Sequence, residues 1–181
     1  MELDFETNLL VAIIVSVSTI SQAAFGVGIL LWGTPVLMLL NFSFPEALGL
    51  LLPISLLVSG LQFAPNIREL DFNFIGQFIK FSIPGLTIGL LLVMFVQFHL
   101  NIVIALMLLV VFFIRKNYVS SSLKDLTLKY DRLFMFFVGF SHGISNLGGA
   151  LLVARLSLER YSKNHYRTNV SATYFVFAAS Q

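Results

Sequence analysis

The sequence predicts an all-α fold: a polytopic membrane helical bundle with two repeats, each opening on a glycine-broken short-helix hairpin. The 181 residues are 57% hydrophobic and only 11% charged, with a mean hydropathy of +0.90. Soluble domains carry roughly 25% charged residues. The apolar residues also form runs that approach the roughly 20 residues needed to cross a bilayer. Two of these runs are interrupted in the middle by glycines and small polar residues.

The first predicted repeat covers residues 1–114 and begins with a broken hairpin at 9–40. Gly26-Val27-Gly28 separates an apolar run from a second piece, Ile29–Leu40, whose 12 residues are too few for a complete span. Three spans follow at 47–63, 74–96 and 102–114. The N-terminus carries no Lys or Arg before Leu9, so this first run indicates a retained membrane segment, not a secretory signal.

The basic residues predict the orientation in the cell (plasma) membrane. Residues 115–132 and 155–167 are both basic, and basic loops tend to stay cytoplasmic. A single crossing would separate them, whereas a hairpin at 133–156 keeps both inside. Loop 115–132 is then cytoplasmic and the N-terminus lies outside. Residues 133–181 are the start of a second membrane repeat, which we expect to be incomplete because an apolar helix beginning at Val170 stops at Gln181.

The stretch 137–152, FVGFSHGISNLGGALL, interrupts its own helix inside an apolar run. Glycine costs about 1 kcal/mol relative to Ala in a helix interior. In hydrocarbon, every freed backbone group must find another partner, so such a break is tolerated where it lines a cavity or packs on protein. The stretch therefore suggests a small-solute site halfway through the membrane.

A second copy of this pattern lies 120 positions earlier in the chain, so that Ser21 corresponds to Ser141. The shift lays SQAAFGVG at 21–28 on SHGISNLG at 141–148. Each segment has a polar pair, a glycine-containing break and a second short apolar helix. With three crossings between them the copies are inverted, an arrangement common among secondary transporters.

At these residues the chain resembles the sulfite exporter TauE/SafE family of membrane permeases. That family has a glycine-rich break early in each half, often followed by Pro and a short apolar helix. The first half offers Phe25-Gly26-Val27-Gly28-Ile29 with Pro35 behind it, and the second offers Gly143 and Leu147-Gly148-Gly149. The resemblance implies export or uptake of a small sulfur-containing or organic anion, such as sulfite, a sulfonate or a sulfoacetate-like compound.

The two breaks supply the candidate substrate-binding residues. Helix N-termini carry free N–H groups and about +0.5 of partial charge, which suits an anion. Hydroxyls and amides add neutral donors, and glycines let the solute approach the backbone. The candidates are Ser21, Gln22, Gly26, Gly28, Ser141, His142, Gly143, Ser145, Asn146, Gly148 and Gly149. We expect no catalytic residue, metal or cofactor.

Each of these residues also has a purely structural interpretation. Gly139 and Gly143 form a GxxxG step, which is common where membrane helices pack closely. His142 either carries a proton coupled to anion movement or is a neutral imidazole bonded to a neighbouring helix. Glu46 suits a helix N-terminus better than a coupling site. Arg155 is either an interfacial anchor or a charge that attracts anions.

Three functions compete. The first is a permease for a small anion, whose partners are the lipid bilayer and the solute; a homo-oligomer is one arrangement open to it. The second, a membrane-embedded enzyme, is disfavoured because the spans contain almost no carboxylates. The third is a non-transporting membrane subunit or a truncated remnant. A net charge of +2 without a basic face argues against nucleic acid, and the absence of cysteine excludes disulfides and thiolate sites.

Overall fold

The structure is a computed structural model that describes residues 4–25, 29–95, 109, 129–157, 159 and 161–181. Several sequence predictions therefore fall outside the described residues: Gly26, Gly28, the span 102–114 apart from Leu109, and the loop 115–132 up to residue 128.

The described residues form helices joined by short connections, and none of these residues lies in a strand. In chain order the helices are α1 (Phe5–Phe25), α2 (Ile29–Leu39), α3 (Phe44–Phe63), α4 (Phe72–Phe95), α5 (Asp131–Ser145), α6 (Gly148–Leu156) and α7 (Lys163–Ser180), with a 3₁₀ helix at Ala64–Glu69. Phe5–Ala23, Phe44–Glu69 and Phe72–Phe95 are long and apolar enough to span a membrane. The predicted all-α membrane bundle is confirmed.

The outer surface of these long helices is apolar, as a lipid environment requires. Large side chains point away from the protein core: Phe5, Leu39, Leu61, Met94 and Phe95 are each at least three-quarters exposed. Where α3 begins, Ser43 and Glu46 form a capping box, because the Ser43 hydroxyl accepts from the Glu46 N–H and the Glu46 carboxylate accepts from the Ser43 N–H. Glu46 is therefore a capping residue.

One end of the bundle collects most of the described charged residues, and we call it the charged end. There α4 and α5 begin near Asp71 and Asp131, and α6 ends at Arg155, which donates to Asp131 Oδ1 at 2.6 Å. Tyr161, just before α7, donates to Asp71 Oδ2 at 3.3 Å. The amide of Asn169 donates to the carbonyl of Glu69, so α3 and its 3₁₀ extension end there as well.

Glycines bring α4 and α5 into backbone contact. Gly85 and Gly89 of α4 face Gly139 and Gly143 of α5, and a Cβ on any of the four would collide with backbone atoms of the other helix. A Cβ on Gly139, for example, would lie 2.7 Å from the carbonyl carbon of Ser82. Two GxxxG steps therefore face each other, as in close membrane helix pairs.

The core beside this pair is aromatic. Phe78 of α4 and Phe177 of α7 are fully buried, with ring centroids 4.9 Å apart and planes at 65°. Edge-to-face pairs of this kind contribute about 0.5–1.5 kcal/mol beyond their buried area. The core thus holds α7 against the α4–α5 pair, which positions the end of α7 beside the end of α5.

Candidate functional site

Two helical hairpins enter the bundle from opposite ends and meet inside it. The hairpin of α5 and α6 starts and finishes at the charged end. The hairpin of α1 and α2 starts and finishes at the other end. Its second helix, α2, leads through a short turn into the start of α3, and α3 runs toward the charged end. We call Gln22 together with the first half of α2, residues 29–34, the first tip, and residues 145–148 the second tip.

The second tip is a sharp reversal built on Asn146. Asn146 has φ 61°, in the left-handed region that Asn tolerates better than most residues, and its N–H donates to the carbonyl of His142 at 2.8 Å. At 1.5 Å per residue, the 15 residues of α5 carry this reversal about 22 Å from the charged end. This distance is more than half the thickness of a hydrocarbon core, which is about 30 Å.

Asn146 joins three parts of the chain. Its amide Nδ2 donates to Thr34 Oγ1 of α2 at 2.9 Å, and its Oδ1 accepts from Gln181 Nε2 at 2.8 Å. Next to it, Leu147 is fully buried against Leu31 of α2. Asn146 is 2% exposed and Thr34 is fully buried, so these bonds are shielded from competing water.

His142 lies one turn before the reversal and is fully buried. Its ring stacks on Phe177 at a centroid distance of 3.9 Å, and neither ring nitrogen has a hydrogen-bond partner among the described residues. The Gln181 side chain lies within hydrogen-bonding reach of this ring, and its buried Oε1 has no other partner within the described segments. Buried polar groups are nearly always bonded. The His142 ring and the Gln181 side chain are therefore the polar groups that a hydrogen-bonding solute or water would engage here.

The first tip is organised by Gln22, which is fully buried. Its Oε1 accepts from the N–H of Ile29 at 2.6 Å, so the side chain satisfies a free donor at the start of α2. Its Nε2 donates to Ser59 Oγ of α3 at 2.9 Å. Gln22 therefore fixes the reversal of the first hairpin against α3.

The start of α6 is left without such a side chain. Leu147 precedes the helix and makes no capping side-chain bond, while the Gly148 and Gly149 backbones follow directly. Helix N-terminal N–H groups without acceptors attract anions. Two described helices, α2 and α6, begin at the tips. Of these two, α6 is the one whose first backbone N–H groups are not bonded by a side chain.

The remaining candidate residues are placed as follows. Ser145 donates to the carbonyl of Ser141 at 2.8 Å, and both are buried in α5 beside the tip. Gly143 lies against Leu86 of α4, Gly148 against α5, and Gly149 against the ring of Tyr174. We call the contact between the two tips the meeting point. Ser21 lies apart from it, in the wall of an apolar cavity of about 410 Å³ between α1 and α2.

Fixed charge is scarce in the buried interior of the described bundle. Among the described buried residues Arg155 is the one charged residue, and it pairs with Asp131 at 2.6 Å and Glu159 at 2.9 Å. Its charge is thus offset at the charged end. Within the described ranges, no group of three or more His, Asp or Glu side chains is arranged to hold a metal ion.

A second cavity, of about 460 Å³, opens at the charged end, and we call it the charged-end cavity. Its walls come from the ends of α1 and α3, the 3₁₀ helix and the start of α7. Gln62 lines it and donates to the carbonyl of Gln22 at 3.3 Å, so one wall of the cavity adjoins the first tip. Lys163 and Arg167 line it as well.

Sequence reasoning missed three residues that complete the meeting point. Thr34 carried a usable signal, since it is a polar residue between Gly33 and Pro35 in an otherwise apolar helix. Ser59 and Gln181 gave no comparable signal, because their roles depend on contacts with residues 37 and 35 positions away.

The comparison with known proteins agrees with this architecture. A model of the sulfite exporter TauE/SafE family matches residues 10–181. Searches of the curated proteins and of the solved structures each return no significant match. Because the family match covers nearly the whole chain, the protein belongs to the sulfite exporter TauE/SafE family, which is a family of membrane transporters.

Proposed function

We propose that this protein is a permease that moves a small anion, such as sulfite, a sulfonate or another sulfur or organic oxyanion, across the cytoplasmic membrane through a site between the two tips. The main support is the hydrogen bond from Asn146 to Thr34, which joins the tips of the two broken hairpins. The two residues are 112 positions apart in the sequence. Transporters commonly bind their solutes where broken helices meet near the bilayer midplane.

The chemistry of the meeting point favours an anion. The amides of Asn146 and Gln181 and the hydroxyl of Thr34 are neutral donors, and the uncapped start of α6 adds partial positive charge. No carboxylate is found among the buried side chains of the described segments, so nothing in that set repels negative charge at this site. A cation would find no carboxylate ligand among these buried side chains.

Binding would exchange hydrogen bonds within the site. The solute replaces Thr34 and Gln181 as partners of Asn146 and also engages His142, whose ring nitrogens have no partner among the described residues. Such an exchange loosens the link between the two tips while the solute is present. The hairpins can then move relative to each other, as alternating access requires.

The test is flux of radiolabelled sulfite, a sulfonate and a carboxylate into proteoliposomes. We expect Thr34→Val to reduce the flux of the transported anion at least tenfold. Thr87→Val is the matched control: Thr87 is exposed on α4 and bonds the carbonyl of Ile83 at 3.0 Å, so losing its hydroxyl should change flux by less than about twofold.

Two results would contradict the proposal. Equal flux in both threonine variants would mean that the tips do not contact the solute. No flux of any anion by well-folded wild-type protein would favour the alternative, a non-transporting membrane subunit.

His142 allows a further distinction. Burying a charge without a partner is costly, which favours a neutral ring that donates one hydrogen bond to the solute. A proton carrier would instead make flux depend on pH through this ring. We expect His142→Gln to lower flux while leaving the shape of its pH profile unchanged; a flattened profile would assign proton transport to His142.

A further inference from the structure

We propose that the charged-end cavity binds the phosphate headgroup of an anionic membrane lipid. Its volume is about 460 Å³, within the range of small-molecule sites. Lys163 and Arg167 line it, and none of its described lining residues is acidic. Basic pockets between membrane helices on the cytoplasmic side are typical sites for phosphate-bearing lipid headgroups.

The positions of the two cations are unfavourable for the helix that carries them. Lys163 and Arg167 are four residues apart at the start of α7, whose first turn contains no acid. Like charges at this spacing repel, and cations oppose the positive end of the helix dipole. An anion bound between them reverses both effects, so their placement is explained by a ligand better than by helix stability.

The nearby carboxylates do not neutralise this pair. Each described acid at this end contacts another group: Glu69 lies 3.7 Å from His165, Asp71 accepts from Tyr161, and Asp131 and Glu159 both pair with Arg155. Neither Lys163 nor Arg167 forms an ion pair within the described segments. The cavity therefore holds two positive charges without a counter-charge among these residues.

A buried hydroxyl also belongs to this cavity. Thr168 lines the cavity and is 1% exposed. Ser171, which also lines the cavity, donates to the carbonyl of Arg167 at 2.6 Å. The Thr168 hydroxyl is thus one neutral donor among the residues that line the cavity.

Size and surroundings favour a lipid over the transported ion. At about 30 Å³ per water-sized group, a four-atom oxyanion takes roughly 120 Å³, whereas a phosphoglycerol group of about ten atoms takes roughly 300 Å³. Ala23 of α1 lines the cavity, and Ile20, one turn below it, is 65% exposed on the lipid-facing surface. An acyl chain can therefore follow α1 while its headgroup occupies the cavity.

The test is lipid binding to the detergent-solubilised full chain, measured by native mass spectrometry with phosphatidylglycerol and phosphatidylcholine. We expect wild-type protein to prefer phosphatidylglycerol. The Lys163→Gln/Arg167→Gln variant should weaken its binding roughly 30-fold, since each basic residue near an anionic surface contributes about a factor of five. The Lys80→Gln/Lys129→Gln variant is the matched control, because both lysines are exposed, lie over aromatic rings outside the cavity, and carry the same total charge.

Thr168→Val provides an independent variant that leaves all charges in place. It should weaken phosphatidylglycerol binding about fivefold, as expected for one lost hydrogen bond. Equal losses in the two double variants, or no loss in Thr168→Val, would overturn the proposal. Displacement of the lipid by soluble glycerol phosphate would assign the site to a free phosphate ester, and displacement by sulfite would assign it to the transported anion; either result overturns the lipid assignment. Transport is not measured, so the outcome is independent of the proposed function.

Discussion

The glycine contact between α4 and α5 makes a quantitative prediction for Gly139→Ala. In an unconstrained helix this change is favourable by about 1 kcal/mol. Here the new Cβ would lie 2.7 Å from the Ser82 carbonyl carbon and 2.8 Å from its Cα, and it would collide with its carbonyl oxygen. Carbon atoms pack at about 3.5–4.0 Å, so the helices must separate by roughly 1 Å.

The expected stability loss follows from that separation. Backbone atoms cannot rotate away as a side chain can, so the strain is relieved only by moving a whole helix. A gap of about 0.5–1 Å forfeits a quarter to a half of each atomic attraction along the contact, and lipid supplies no hydrophobic force to close it. Overpacking costs about 1–3 kcal/mol. Because rigid backbone places this clash at the upper end of that range, about 2–3 kcal/mol, subtracting the gain of about 1 kcal/mol in helix propensity leaves a net loss of about 1–2 kcal/mol in the free energy of unfolding.

The assay is unfolding of the full chain in mixed micelles as the fraction of sodium dodecyl sulfate is raised. Gly76→Ala is the matched control, because Gly76 also lies in α4 and a Cβ added there would have no atom within 4 Å among the described residues. That variant should be as stable as wild type or more stable by up to about 1 kcal/mol. A Gly139→Ala protein as stable as wild type would refute the close backbone contact.

Three further predictions concern the tip and the charged end. Asn146→Gly keeps the left-handed backbone but removes the partner of buried Thr34 and of partly buried Gln181, so it should destabilise by about 1–3 kcal/mol in the same unfolding assay. Asn41→Gly is the control, because Asn41 has φ 66° in an exposed turn, and it should not destabilise the protein. Equal losses of stability in the two variants would mean that the side-chain amide of Asn146 does not contribute. Arg155→Met should destabilise by about 1–3 kcal/mol, less than for a fully buried pair because the carboxylates left behind are partly exposed; unchanged stability would show that the ion pair contributes nothing. Burial, reinforced by Asp71, raises the pKa of Tyr161 to about 12. The folded state then holds this proton while the unfolded state loses it near pH 10, so stability should fall between about pH 10 and 12, and Tyr161→Phe should make the fall shallower in pH-dependent unfolding.

The sequence predicted the features that depend on local composition. Low charge and long apolar runs indicated a membrane bundle, and the structure confirms it. The resemblance to the TauE/SafE family, seen in the glycine breaks, is confirmed by the family match. These signals are local, because hydropathy and helix propensity act residue by residue.

The candidate site was harder to predict, because glycine has two uses in membrane helices. Gly143 and Asn146 were equal candidates in the sequence, yet Gly143 lies in the contact with α4 while Asn146 holds the two tips together. Composition cannot separate a glycine that packs on a helix from one that lines a site. The answer depends on which helix lies opposite, and that is a property of the tertiary fold.

The sequence by itself predicted a helical membrane protein with two broken hairpins. Both features follow from local composition, because apolar residues favour lipid and glycine weakens a helix wherever the rest of the chain lies. Only the tertiary structure decided that the tips meet through Asn146 and Thr34, that Gln181 joins them, and that Lys163 and Arg167 face one cavity. Those arrangements join residues far apart in the chain, and their hydrogen bonds and charges act only at short range once the helices have packed.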